Sequence, residues 1–200
     1  MRDDAKSILL VGVGGQGTIL ASKILSEGLL LAGYDVKMSE IHGMSQRGGS
    51  VSTQIRFGKK VYSPIIGIGE ADVLVAFERM EALRYLEYLK PSGSMIVNDY
   101  EIPSLPVLMG VVEYPEGITE ELKAKTKLTL IEAQKIAVEL GNPKTMNIVL
   151  LGAAVKALNE QFTGELADID WPTIIKNSVK EDFVDINIKA FELGSATATA

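Results

Sequence analysis

The chain has 200 residues, no cysteine, one histidine and a formal net charge of −6. Its hydrophobic fraction of 46% and charged fraction of 23% are typical of a globular domain and exclude a disordered chain. The lack of cysteine excludes disulfides, thiolate-bound iron–sulfur clusters and a cysteine nucleophile, and the acidic balance argues against a nucleic-acid-binding protein.

The first predicted strand covers residues 8–13, an aliphatic and β-branched run that is followed by glycines and is too short to cross a membrane. Apolar residues at helical spacing predict a helix over residues 18–32, which Gly33 ends, and residues 34–38 predict a second strand. These elements form one βαβ unit with a right-handed crossover. Two aspartates near the amino end do not fit a signal peptide. No other stretch predicts a membrane span, so we expect a cytoplasmic protein.

The middle of the chain departs from simple strand–helix alternation. Residues 40–49 predict a polar, glycine-rich loop, and residues 50–57 predict a strand with one apolar face and one solvated face (Ser52, Gln54 and Arg56). A turn at residues 58–60 predicts a hairpin with residues 61–63. Further strands are predicted at residues 72–77, 94–98 and 107–113, with a helix at 81–90 and a turn at 91–93.

The last third of the chain is predicted to be helical. Its helices cover residues 128–140, 145–161, 171–179 and 182–193, and the first ends at the Gly-Asn-Pro sequence of residues 141–143. No linker divides the chain. We therefore predict a single α/β domain at residues 1–194, three-layer α/β/α with a Rossmann-like βαβ start and a mixed sheet, and a loose tail at residues 195–200.

The turn after the first strand satisfies the G-x-G-x-x-G pattern. Its candidate binding residues are Gly12, Gly14, Gly15, Gln16 and Gly17. Glycines let the backbone approach a phosphate, and a helix N-terminus offers free N–H groups and partial positive charge. Dinucleotide binding, binding of another phosphate-bearing ligand and a purely structural turn remain as alternatives. The acid expected of a dinucleotide site would be Glu40, which comes one or two residues late.

A second glycine-rich loop is the other candidate binding element. Its residues are Ser45, Gln46, Arg47, Gly48 and Gly49. An arginine beside bare glycine backbone can hold an anion or clasp a carboxylate of another chain, although a surface loop of no special role is the plain alternative. Because both loops follow strands of the same unit, we expect them to meet at one edge of the sheet.

The remaining chemistry-bearing residues do not form an active site. His42 could act as a base, but a lone histidine without a carboxylate partner is more often structural. We interpret Glu70, Asp72 and Glu78 as solvated or helix-capping. No catalytic residue and no metal site is predicted, which favours a binding or subunit role.

These motifs together resemble a known family. The Gly-Val-Gly-Gly-Gln-Gly turn at residues 12–17, the Glu-Ile-His-Gly-Met-Ser-Gln-Arg-Gly-Gly-Ser-Val segment at 40–51, the Ala-Asp-Val-Leu-Val-Ala-Phe-Glu segment at 71–78 and the Glu-Ala-Leu-Arg-Tyr-Leu segment at 81–86 are similar to the gamma-type domain of 2-oxoacid:ferredoxin oxidoreductases. The resemblance is nearest to the beta subunits of the indolepyruvate type. It extends over residues 8–193.

The resemblance implies a function in a complex. Such enzymes decarboxylate a 2-oxoacid on thiamine diphosphate, form a coenzyme A thioester and pass electrons through iron–sulfur clusters to ferredoxin. Thiamine diphosphate and the [4Fe-4S] clusters would lie on a large alpha subunit, and coenzyme A would be a co-substrate. This chain would bind no cofactor by itself. A free-standing dinucleotide- or phosphate-binding protein is the alternative function, and a second copy of this chain is an alternative partner for the isolated chain.

Overall fold

In the computed structural model, residues 5–42, 48–164 and 166–197 are described. The strands are β1 (Lys6–Val13), β2 (Asp35–His42), β3 (Ser50–Gly58), β4 (Ala71–Ala76), β5 (Leu89–Asn98) and β6 (Lys127–Ile131). The helices are α1 (Thr18–Leu31), α2 (Arg79–Arg84), α3 (Leu105–Leu108), α4 (Ile118–Lys125), α5 (Ala133–Glu139), α6 (Met146–Gln161), α7 (Trp171–Ser178) and α8 (Val184–Thr197). Short 3₁₀ turns occupy Leu86–Tyr88, Pro143–Thr145 and Glu181–Phe183.

The six strands form one mixed sheet in the order β2-β3-β1-β4-β5-β6. The strands β1, β4, β5 and β6 are parallel, whereas β3 is antiparallel to both β1 and β2. Therefore β2 runs parallel to β1, as the predicted βαβ unit requires, but β3 lies between them. The mixed sheet is confirmed.

Two hydrophobic clusters fill the space above and below the sheet. Alternate residues of β1 point to opposite faces: Ile8 belongs to the larger cluster with α1 and α6, and Leu9 to the smaller one with α2 and α4. Helices on both faces confirm the three-layer α/β/α architecture. No described helix has the length and apolarity needed to cross a bilayer.

Several local predictions are wrong where long-range packing decides the structure. The polar face of β3 is not solvated: Ser52 and Gln54 are buried, and the Gln54 side chain accepts a hydrogen bond from the Ile66 N–H at 2.6 Å. Residues 61–63 form no strand, because the partner of β3 on that side is β2. The hairpin is instead β2–β3, so residues 40–42 of the predicted loop belong to a strand.

Further along the chain, the predicted helix at residues 81–90 is only the short α2, followed by a 3₁₀ turn. The turn predicted at 91–93 falls inside β5, where pairing with β4 jumps from Leu89 to Ser94. Residues 127–131 pair with β5 as β6, so only the second half of the predicted helix at 128–140 is helical. The strand predicted at 107–113 is absent, and its first residues end the short helix α3.

The long helix α6 and the last two helices agree with prediction. However, α8 continues through Thr197, so residues 195–197 of the expected loose tail are helical. Ser195 donates a hydrogen bond from its hydroxyl to the Gly152 carbonyl of α6 at 3.0 Å. Residues 198–200 lie outside the described residues.

Candidate functional site

The glycine turn lies where β1 ends and α1 begins, at the carboxyl edge of the parallel strands. Gly17 precedes α1 with a φ of +79°, and Gly15 has a φ of +106°. At Gly15 nothing lies within 4 Å of the place a Cβ would take. The backbone is therefore open to an approaching group at Gly15. The first turn of α1 has no side-chain cap, so its N–H groups are available to an anion.

Other residues of the turn serve the fold. A Cβ on Gly12 would lie 2.9 Å from the Cβ of Phe77, so glycine allows β1 and β4 to pack closely there. The Gln16 side chain accepts a hydrogen bond from the Val13 N–H and donates one to the Phe77 carbonyl, both at 2.8 Å. The two ends of the Gln16 amide thus link the end of β1 to the residue that follows β4. The predicted binding roles of Gly12 and Gln16 remain predictions.

The two glycine-rich loops meet. The Gly14 N–H donates to the Gly49 carbonyl at 2.8 Å, and the Gly48 N–H donates to the Gly14 carbonyl at 3.3 Å. This pairing extends the β1–β3 ladder into both loops and agrees with the expectation that they share one edge of the sheet. Ser45, Gln46 and Arg47 lie outside the described residues.

A cavity of about 410 Å³ lies between the glycine turn, the first turn of α1 and strands β2 and β3. Gly14, Gly15, Gly17 and Thr18 line one side, and Thr53 lies on the other. Thr18 and Thr53 are buried. The glycine backbone and the positive end of a 14-residue helix make this side of the cavity suitable for an anionic group.

The rim of this cavity carries Glu40 and His42, both exposed on the last part of β2. In a dinucleotide site the acid ends the strand next to β1. Here β3 separates β2 from β1, which places Glu40 two strand spacings away, about 10 Å. This topology does not favour the dinucleotide alternative.

A second cavity, of about 430 Å³, lies on the other side of the glycine turn. Gly15 and Gly17 line it too, together with Tyr100 and Ile102 after β5 and Lys144 just before α6. The glycine turn is therefore a wall shared by two cavities. The Asn147 side-chain amide fixes the turn against α6 by donating to the Gly17 carbonyl at 3.1 Å.

A buried polar network beside this edge is not predicted by the sequence. The sequence predicts Glu78 to be solvated or helix-capping. It does cap α2, by accepting a hydrogen bond from the Glu81 N–H at 2.9 Å, but it is buried. Its other oxygen accepts from the Tyr114 hydroxyl at 2.5 Å. Glu81, also buried, accepts a hydrogen bond from the Ser50 hydroxyl. The Glu-x-x-Glu spacing at a helix start was the available signal for the cap; nothing local signalled Tyr114.

The Glu78 carboxylate is held by neutral donors, the Glu81 and Ile102 N–H groups and the Tyr114 hydroxyl. Burial and the hydrogen bond to the Glu78 carboxylate raise the pKa of the Tyr114 hydroxyl far above its ordinary value, so Tyr114 remains a donor in alkaline solution. Burial alone would lower the pKa of Arg79, but its bonds to Asp99 and the charge of Glu101 raise it. No cluster of three metal-ligating side chains occurs among the described residues.

Comparisons with known proteins agree on one family. The family model described as pyruvate ferredoxin/flavodoxin oxidoreductase matches residues 7–197. Indolepyruvate oxidoreductase subunit IorB of Pyrococcus horikoshii is 41% identical over 198 residues, which are 96% of this chain and 95% of that protein. The crystal structure of the gamma subunit of keto/oxoacid ferredoxin oxidoreductase from Geobacter sulfurreducens is 25% identical with a TM-score of 0.69, covering 96% and 98% of the two chains.

A longer protein contains the same fold. The structure of 2-oxoglutarate:ferredoxin oxidoreductase from Magnetococcus marinus, with 2-oxoglutarate, coenzyme A and succinyl-CoA bound, aligns with a TM-score of 0.72 at 22% identity. The alignment covers 98% of this chain and 31% of that one. At 22% identity, the similarity to this longer protein shows the fold alone.

Proposed function

This chain belongs to the pyruvate ferredoxin/flavodoxin oxidoreductase family, and we propose that it is the small subunit of an indolepyruvate-type 2-oxoacid:ferredoxin oxidoreductase that works in the cytoplasm. The observation that carries the proposal is 41% identity to an indolepyruvate oxidoreductase subunit along nearly the whole of both chains. The chain then functions as part of a complex, and this complex converts an arylpyruvate to an acyl-CoA by oxidative decarboxylation.

The side chains of this chain limit which cofactors it can hold. The sequence contains no cysteine, so this chain offers no thiolates to iron–sulfur clusters. Following the enzymes that this sequence resembles, we place the [4Fe-4S] clusters and thiamine diphosphate on a large partner subunit, through which electrons reach ferredoxin. Bound thiamine diphosphate would supply the carbanion-stabilising chemistry that decarboxylation needs. We place the small subunit beside that site, where it helps to receive coenzyme A.

Coenzyme A is the ligand we assign to the glycine-rich edge. The open backbone at Gly15 and the uncapped N-terminus of α1 fit a phosphate group. Gly48 and Gly49 lie at the same edge, and by residue type we assign contacts with the phosphates to Ser45, Gln46 and Arg47, which precede them in the sequence. The lack of a Cβ makes room for the Phe77 side chain at Gly12 and for the Asn147 side chain at Gly17. Gly14 pairs with Gly48 and Gly49 through its backbone, and Gln16 links the edge to the end of β4.

The test is reconstitution with the cognate large subunit, with the large subunit alone as the control. Anaerobic co-purification should give a brown complex that reduces a viologen dye only when both indolepyruvate and coenzyme A are present. Pyruvate and 2-oxoglutarate should support slower reduction. A colourless chain that captures no large subunit would overturn the proposal, and calorimetry with NAD(H), NADP(H) and FAD would then test the free-standing alternative.

A further inference from the structure

The segment between β5 and α4 carries an unusual amount of exposed apolar surface. We call residues 102–114 the apolar loop; it contains α3. Leu105, Leu108, Met109 and Val111 are 68%, 70%, 69% and 70% exposed. No charged residue lies between Glu101 and Glu113. Single exposed aliphatic residues are ordinary, but a contiguous group of this kind marks an interaction surface.

Both ends of the apolar loop are fastened to one buried carboxylate. The same Glu78 oxygen accepts from the Ile102 N–H at 3.3 Å and from the Tyr114 hydroxyl at 2.5 Å. Backbone bonds inside the loop, from Met109 to Leu105 and from Val111 to Pro106, fix its shape. Glu78 is 1% exposed, so this fastening is shielded from water. A loop held in one shape loses less conformational entropy when it binds.

Acidic residues flank the loop on both sides. Asp99 and Glu101 stand before it and share Arg79 as their cation. Glu113, near the end of the loop, and Glu116, just after it, are exposed and form no ion pair with any other described residue. The flanks are therefore net negative around an apolar centre. The complementary surface is an aliphatic hollow edged by lysine or arginine.

We propose that the apolar loop is a docking element that inserts into such a basic-edged aliphatic hollow on the large subunit. This inference rests on the proposed function, which supplies that subunit. The position of the loop supports it, because Ile102 lines the 430 Å³ cavity beside Gly15 and Gly17. Docking through this loop brings the large subunit against the glycine-rich edge.

The experiment measures binding of the full chain to the purified large subunit. Replacing two exposed side chains in a double variant, Leu108→Asp with Met109→Asp, should weaken Kd by about 100-fold, since interface anchors each contribute tenfold or more. The thermal midpoint of the isolated variant should match that of the wild type. Ile68→Asp is the matched control: Ile68 is 67% exposed, lies before β4 at the opposite edge of the sheet, and its change should leave Kd unaltered.

A charge-swap pair tests the acidic flank separately. The double variant Glu113→Lys with Glu116→Lys should slow association by about tenfold at low ionic strength and should flatten its salt dependence. Glu160→Lys, an exposed change on α6, should do neither.

The outcomes separate the two proposals. An unchanged Kd for the Leu108 and Met109 double variant, with an intact wild-type complex, overturns the docking element and leaves the proposed function standing. Failure of the wild-type chain to bind the large subunit overturns both. If the same double variant abolishes self-association of the isolated chain but binds the large subunit normally, the loop receives a second copy, and our inference is wrong.

Discussion

Arg47 is the residue on which the assignment of coenzyme A can be tested most directly. Its guanidinium can donate two parallel hydrogen bonds to one phosphate, a geometry that a lysine ammonium does not offer. Arg47→Ala should therefore raise the apparent KM for coenzyme A in the reconstituted complex by roughly 10- to 100-fold, the loss of one charge-assisted contact. The measurement is the initial rate of dye reduction against coenzyme A concentration.

The control for that measurement is Lys59→Ala, which removes a positive charge from an exposed position beyond the other end of β3. It should leave the KM for coenzyme A unchanged. An unchanged KM for Arg47→Ala in an intact complex would contradict the assignment.

Gln16 illustrates a residue whose type invites a binding role while its contacts are structural. Gln16→Ala removes the bonds to the Val13 N–H and the Phe77 carbonyl. The free energy of unfolding should fall by about 1–3 kcal/mol, since each hydrogen bond contributes about 0.5–1.5 kcal/mol. Chemical denaturation of the isolated chain measures it. Gln134→Ala, at a half-buried glutamine with no side-chain bond to other described residues, should change stability little; equal losses at the two positions would refute the structural role.

The residue scale also shows what local sequence can and cannot reveal. The glycines of the turn could be identified because a strand, a turn and a helix follow one another within a few residues. Glu78 could not be identified as buried, because its partner Tyr114 is 36 positions away in the chain. A carboxylate at a helix start appears solvated until the segment that covers it is placed.

At the scale of elements, α6 and α8 approach each other through glycines. A Cβ on Gly194 would lie 1.9 Å from the Val149 carbonyl oxygen, and a Cβ on Gly152 would lie 2.1 Å from the Phe191 carbonyl oxygen. Alanine normally stabilises a helix by about 1 kcal/mol relative to glycine. Here the clash is with rigid backbone, so the two helices must separate.

Gly194→Ala should therefore lower the free energy of unfolding by about 1–3 kcal/mol, the usual cost of overpacking. Thermal and urea denaturation of the isolated chain would measure the change. Glu192→Ala, on an exposed position of α8, is the control and should remain within about 0.5 kcal/mol of the wild type. A Gly194→Ala variant as stable as the control would mean that the helices tolerate a wider separation.

Local sequence patterns predict the wrong structure for elements that depend on distant parts of the chain. Residues 127–131 have the apolar content of a buried helix, and only their pairing with β5 makes them a strand. Residues 107–113 have the composition of a strand but lie in the exposed apolar loop. Residues 127–131 become a strand because β5 offers them an edge to pair with. Residues 107–113 form no strand, and most of their apolar side chains are exposed. By contrast, β1 and α1 were predicted well because their signals are local.

At the scale of the whole molecule, the two faces of the sheet are covered unequally. One face carries the long helices α1, α6 and α8, with the larger hydrophobic cluster. The other carries α2 and α4, which are much shorter, with the smaller cluster. Tyr114, at the end of the apolar loop, packs against this smaller cluster. The thinner face is therefore the one from which the docking element projects.

This asymmetry predicts where a partner stabilises the chain. Short helices with few buried contacts open locally at low free-energy cost, so amides of α2 and α4 should exchange with deuterium faster than those of α6 in the isolated chain. Binding of the large subunit should slow exchange most in residues 102–114, α2 and α4, because binding stabilises the folded form of whatever it covers. Hydrogen-exchange mass spectrometry of free and bound chain measures this, with α6 as the internal control. Slowing confined to α7 and α8 would place the partner on the thicker face instead.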